Sequence, residues 1–218
     1  SPSYPPPHAG DPVAIKVIEL KSLRDDTSRH MLSTEIACFR EVSHPHLLRY
    51  ENSYFTVNNC YIITEYCSQG DLSKMQGQQA VAEEEVGKLF HQIYTGYLHF
   101  HNAGYIHRDI KPANIFVAAS GELKIADFGF CKKRTLIERE NYNVGTPIYM
   151  PRESLAANIY NEKTDVWSLG ITLYEMIFGE VPFKGKTEAE LRAEIERLRA
   201  EVRQLRAERQ ERHVKIRA

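Results

Sequence analysis

At 218 residues the chain has material for one substantial core or two small lobes. A hydrophobic share of 42% and a charged share of 26% are those of a globular protein, and a net charge of −1 gives no general attraction to nucleic acid or to an anionic membrane. The longest apolar run, residues 166–178, is interrupted by Ser168, Thr172 and Glu175 and is too short to cross a bilayer.

Residues 1–12 hold Pro2, Pro5, Pro6, Pro7 and Pro12 with almost no aliphatic side chains, which predicts an extended, unstructured leader. Residue 1 is Ser, as in a fragment or a processed chain. The β-branched run over residues 13–18 predicts a strand. Over residues 26–42 the apolar positions Met31, Ile36, Phe39 and Val42 fall near helical spacing, and Pro45 closes the segment. Residues 47–54 and 60–65 alternate as two further strands joined through Asn58-Asn59, and Ser68-Gln69-Gly70-Asp71 reads as a turn. Val86, Leu89, Phe90, Ile93, Tyr97 and Phe100 share one face of a long amphipathic helix. Short strand-like segments follow at 115–117 and 123–126. Residues 164–178 are apolar nearly all the way round, which predicts a helix buried on most sides.

The last segment carries a heptad seam, Leu191, Ile195, Leu198, Val202 and Leu205. Glu194, Glu201 and Glu208 fall at one flanking position, and Arg192, Arg199 and Arg206 at the other. Three arrangements fit: a parallel homodimer through residues 187–218, a helix folded back over residues 166–178, or a solvated helix. Cys38, Cys60, Cys67 and Cys131 lack paired or metal-type spacing, and no secretory segment opens the chain. Reduced thiols in a cytoplasmic protein are expected, a nuclear one not being excluded.

One constellation carries chemistry. His107-Arg108-Asp109-Ile110-Lys111-Pro112-Ala113-Asn114 is followed, across a strand-like link, by Asp127-Phe128-Gly129. Together with Val13-Ala14-Ile15-Lys16, these strings make the chain resemble the eukaryotic protein kinases. The resemblance implies a base at Asp109 that orients the acceptor hydroxyl and takes its proton. It implies magnesium ligands at Asn114 and Asp127, and a lysine, Lys111, of the kind that serine/threonine-specific members hold against the transferring phosphate. Lys16 matches the lysine that meets the α- and β-phosphates of ATP, with Glu35 as its partner. Glu65-Tyr66-Cys67 matches the hinge whose backbone meets the adenine edge, Ala14 and Phe116 the residues sandwiching that ring, and Thr64 the gatekeeper. Tyr50, Phe39, Phe128 and His107 match a regulatory spine, and Asp165 the carboxylate that holds the catalytic loop. Gly145 to Met150 match the loop receiving the substrate, with Thr146 bonded to Asp109 and Lys111. Arg108 implies a phosphate site on the segment that follows, with Thr135 and Tyr142 as candidate acceptors. Within the family the unc-51-like branch is the nearest likeness, the NIMA-related and Aurora-like branches being competitors.

Three departures stand out. No glycine-rich strand-turn-strand precedes Val13, so half of the ATP roof is missing and the sheet has an unprotected edge. Pro151-Arg152-Glu153 stands where Ala-Pro-Glu is usual, and Glu153 is expected to be a buried carboxylate without its partner. After Pro182-Phe183 the usual run of helices is replaced by the heptad tail.

The resulting reading is an α+β fold of the protein-kinase-like, two-lobe type. A leader (1–12) precedes a small β-rich N-lobe with its hinge (13–67), a truncated helical C-lobe (68–186) and a C-terminal amphipathic helix (187–218). The implied function is ATP- and magnesium-dependent phosphorylation of a serine or threonine hydroxyl on a protein substrate. The alternative is a pseudokinase scaffold that acts by binding and by dimerising through the tail.

Overall fold

The computed structural model describes residues 10–76, 82–134 and 144–217, with the backbone alone at Glu83 and 210–217. The β-branched segment β1 (Val13–Glu19) pairs antiparallel with β3 (Asn59–Glu65), which pairs antiparallel on its other side with β2 (Tyr50–Phe55). Among the described residues β1 is therefore an edge strand, as expected. The alternation of β3 turns Cys60, Ile62 and Thr64 inward, and these pack toward helix α1 (Asp26–Glu41). Asp25 caps α1 by accepting the Ser28 N–H at 2.7 Å, satisfying one of the orphan donors of the first turn.

The expected strand over 47–54 begins later, at Tyr50. The physical reason lies in a second pairing. Leu48 N–H donates to Ile125 O at 2.8 Å and Ile125 N–H to His46 O at 2.9 Å, so residues 46–48 join the second lobe instead of the N-lobe sheet.

The second lobe is built on α3 (Glu83–Asn102) and α5 (Glu162–Phe178), preceded by a short α2 (Leu72–Gln76) that the sequence reading did not anticipate. A two-residue strand β4 (Tyr105–Ile106) leads into the catalytic-loop motif, and the hairpin β5 (Ile115–Val117)–β6 (Leu123–Ile125) leaves it. Strand β7 (Lys132–Lys133) pairs back onto β4. Helix α4 (Arg152–Ala157) precedes α5, whose start is fixed by a capping box between Asn161 and Thr164. Leu32, Ile36 and Phe39 of α1, Ile93, Tyr97 and Phe100 of α3 and the β5–β6 hairpin belong to one continuous core.

One expectation holds and one is corrected here. Over residues 164–178 helix α5 is buried on most sides, its exposed residues Val166, Gly170, Tyr174 and Phe178 forming a single i, i+4 stripe. Glu153 is half-buried rather than buried, and Arg152 finds its carboxylate on the tail, with Nε 2.6 Å from Glu196 Oε1.

That tail is helix α6 (Glu188–Arg217). Its first turns fold back on the C-lobe, where Leu191 (3% exposed) and Ile195 (2%) pack in a second core with Met150, Leu155, Ile171 and Phe183. Leu198 joins at the edge beside Trp167, over whose ring Arg199 also sits. The end of the seam stays in solvent, with Val202 46% and Leu205 62% exposed. The proximal half of the seam folds back, but mainly onto α4 and the segment around Met150, with only Trp167 and Ile171 of residues 166–178 taking part, and the distal half is solvated. Among the described residues no helix is long and apolar enough to cross a membrane.

Candidate active site

Helix α1 presents Leu32, Glu35, Ile36 and Phe39 on its buried face. A carboxylate on such a stripe needs a partner, and Lys16 of β1 supplies it at 2.7 Å. Burial holds the Glu35 carboxyl above its usual range, with the Lys16 charge working against that rise. On Lys16, desolvation works downward but is outweighed by Glu35 and Asp127, so its pKa stands above the ordinary value. Asp127 Oδ1 lies 3.7 Å from Lys16 Nζ.

The catalytic loop is held from beneath. Asp165, at the start of α5, accepts the N–H of His107 and of Arg108, each at 2.8 Å. It is fully buried, and burial raises its pKa against the pull of His107 and Arg108. Two backbone positions near the motif are forced left-handed, Arg108 at φ 71° and Asp127 at φ 59°. Such conformations cost free energy in non-glycine residues and persist where the surroundings over-determine them. His107 Nε2 donates to Ala126 O at 3.0 Å and Nδ1 accepts Asp109 N–H at 3.3 Å, which fixes one neutral tautomer.

Asp109 meets Thr146, the side-chain partner expected of it, and Lys111 and Asn114 besides. Its Oδ1 accepts from Thr146 Oγ1 at 2.8 Å. Its Oδ2 meets Lys111 Nζ at 2.9 Å and Asn114 Nδ2 at 2.8 Å. Lys111 Nζ also donates to Thr146 Oγ1 at 2.5 Å. The spine is stacked as expected: Phe39 against Tyr50 (5.7 Å between ring centres), Phe39 against Phe128 (4.8 Å) and His107 against Phe128 (5.6 Å).

Above this polar floor lies a cleft of about 340 Å³. Ala14, Ile62, Leu48 and Phe116 give it apolar walls, Thr64 lines its rear, and Lys16, Glu35, Asn114 and Asp127 close its polar end. Glu65 and Cys67 are not among its lining residues. The Glu65 side chain turns away toward Lys124, and burial pushes the Cys67 thiol up to about 11. Arg108 donates from Nε to Phe130 O at 2.5 Å and lies over the Tyr160 ring. The candidate phosphoacceptors Thr135 and Tyr142 fall outside the described residues. Sequence reasoning passed over Lys124 altogether; its signal was a charged side chain between Leu123 and Ile125 in a strand whose three residues are all buried.

This cleft and the loop beneath it agree with the comparisons. The protein kinase domain family matches residues 7–216. The chain belongs to the protein kinase family. Among its relatives are the serine/threonine-protein kinase ULK3 of Homo sapiens, 34% identical over 186 residues, and that of Xenopus laevis, 34% identical over 196. The serine/threonine-protein kinase CST20 of Candida albicans is 33% identical over 174 residues. These alignments take in 84%, 88% and 79% of the chain, but only 39%, 42% and 14% of the respective relatives, so the chain spans less than half the length of each. The expected unc-51-like affinity is in line with them.

Proposed function

We propose that the chain is the core of a serine/threonine protein kinase that moves the γ-phosphate of ATP to a protein hydroxyl with magnesium as cofactor. The observation that carries this is a pair of contact sets, Lys16–Glu35 lining the cleft and Asp109–Lys111–Asn114–Thr146 joined to it through Asn114. The cleft suits such a nucleotide, with apolar walls for a ring and a cationic, oxygen-rich end for phosphates. Asn114 and Asp127 offer oxygen donors at its polar end, and magnesium is commonly held by one or two protein oxygens and completed by substrate phosphates and water.

In this reading Asn114 and Asp127 would hold magnesium, which would supply charge neutralisation at the phosphates of the bound nucleotide. Lys16, fixed by Glu35, binds phosphate oxygens. Asp109 orients the acceptor hydroxyl and takes its proton, and Lys111 steadies the transferring group. The joint retention of these side chains, and relatives named as kinases, support catalysis over a scaffold role. For the tail we infer an intramolecular role, since Leu191 and Ile195 are already buried within their own chain.

The test is phosphate transfer to a generic basic protein, run beside Asp109→Asn. Transfer lost in the variant is expected; transfer that survives the substitution rules the mechanism out.

A further inference from the structure

One buried charge pair has no part in the proposed chemistry and lies where the two lobes meet. Lys124, on β6, has 7% of its side chain exposed. Its Nζ donates to Pro45 O at 2.8 Å and lies 3.2 Å from Glu65 Oε1. The same Oε1 accepts Arg49 N–H at 2.8 Å, and Glu65 N–H returns a bond to Arg49 O at 3.0 Å.

The placement of the pair matters. Glu65 ends β3 immediately after Thr64, which lines the cleft. Lys124 stands opposite Phe116 in the β5–β6 register, and Phe116 forms another wall of that cleft. The far end of the connecting segment is bound to the same hairpin by backbone, Val117 N–H to Gly70 O at 2.9 Å and Gln69 N–H to Val117 O at 3.2 Å. Residues 65–70 are thus fastened to one hairpin at both ends, through backbone at one and through a single lysine at the other. Desolvating two charges seldom adds net stability compared with an apolar pair of the same shape. What an ion pair does add is direction, because only one placement of Glu65 satisfies both Lys124 and Arg49 N–H.

We propose that Lys124 is a positioning residue: acting through Glu65, it holds the hinge against the β5–β6 hairpin and so sets the gap between Ala14 and Phe116 that a nucleotide base would enter. The nucleotide half of this statement rests on the kinase reading, whereas the hinge half does not.

The test uses the full chain with Lys124→Met, Glu65→Gln and the double variant. A cavity of about 250 Å³ beside Lys124 gives a methionine room to settle. Without nucleotide, amide exchange at Glu65 and Gln69, both hydrogen-bonded here, is expected to quicken about tenfold in either single variant. The double variant is expected to do no more than one of them, as for groups acting as a unit. With ATP, KM should rise about tenfold while kcat at saturation stays within about twofold, the signature of lost uniform binding. Unchanged exchange at both amides, effects that multiply in the double variant, or a fall in kcat with KM unmoved each overturns the proposal. Glu65→Gln keeps an acceptor for Arg49 N–H and decides the matter if Lys124→Met fails to fold. A wild-type chain that neither binds nucleotide nor transfers phosphate would fell the kinase reading, and the exchange measurement would still judge the hinge.

Discussion

Thr146 donates its hydroxyl to Asp109 Oδ1 at 2.8 Å, clamping the segment after Gly145 onto the proposed base. Lys111 Nζ reaches both groups, 2.9 Å from Asp109 Oδ2 and 2.5 Å from Thr146 Oγ1. Thr146→Val keeps the shape and removes the hydroxyl. In the proposed mechanism Asp109 loses its fixed orientation, so kcat should fall by about 10–100-fold with little change in KM for ATP, short of the roughly 10²–10⁴-fold that a general base contributes. Thr146→Ser should retain most activity. Steady-state kinetics of the three proteins decide, and an unaffected kcat in the valine variant would show the clamp to be dispensable.

The Lys16–Glu35 pair predicts a pH dependence of defined sign. Lys16 has a pKa raised above its ordinary 10.5, because Glu35 and Asp127 outweigh the opposing effect of burial. Its contribution to stability is therefore fully present below 10.5 and is lost as pH rises through the folded-state value above it. The difference in Tm between wild type and Lys16→Met should stay level from about pH 7 to 10 and shrink above that range. Thermal scans across the range check this; a difference that already shrinks between about pH 7 and 9 would mean that another group governs the pair.

Gly145 shows how tightly the clamped segment rides on the catalytic loop. At φ +99°, a Cβ built on it would stand 2.4 Å from the carbonyl oxygen of Arg108. Gly121 has a comparable φ of +86° with nothing within 4 Å of the same position. Gly121→Ala should therefore cost only the backbone penalty, about 1 kcal/mol, whereas Gly145→Ala adds a steric clash and should cost about 2 kcal/mol or more. Urea midpoints of the two variants separate these terms, and equal losses would remove the steric part of the argument.

Much of this site was legible in the sequence because its chemistry is encoded in short strings. His107 to Asn114 lie on one tight loop, so their mutual contacts follow from local geometry once Asp165 fixes the backbone. Lys16 and Glu35 were readable only through the resemblance, which pairs a strand lysine with a helix glutamate at this spacing; alone, a strand lysine reads as a surface charge. What could not be read depends on which lobe captures a segment. Residues 46–48 carry a strand pattern, yet their backbone bonds go to β6. The Lys124–Glu65 pair joins two elements whose approach no periodicity specifies.

The same capture divides the heptad seam into halves with different energetic weight. Leu191 and Ile195 are 3% and 2% exposed against Met150, Leu155 and Phe183, whereas Val202 and Leu205 keep 46% and 62% of their surface in solvent. Truncating a buried aliphatic side chain removes its transfer free energy and leaves a cavity, so Leu191→Ala and Ile195→Ala should each cost about 2–4 kcal/mol. Val202→Ala and Leu205→Ala should stay within about 0.5 kcal/mol, as exposed substitutions do. Met150 ends the segment from Gly145 whose likeness implies a substrate-receiving role, so the two buried-site variants should also weaken phosphate transfer more than the two exposed ones. Urea unfolding beside mass from light scattering tests the division. A single-chain mass at micromolar concentration is expected, because two exposed apolar positions offer too little surface to hold a second helix. Equal losses along the whole seam, together with a doubled mass, would show instead that the distal half is buried against another copy.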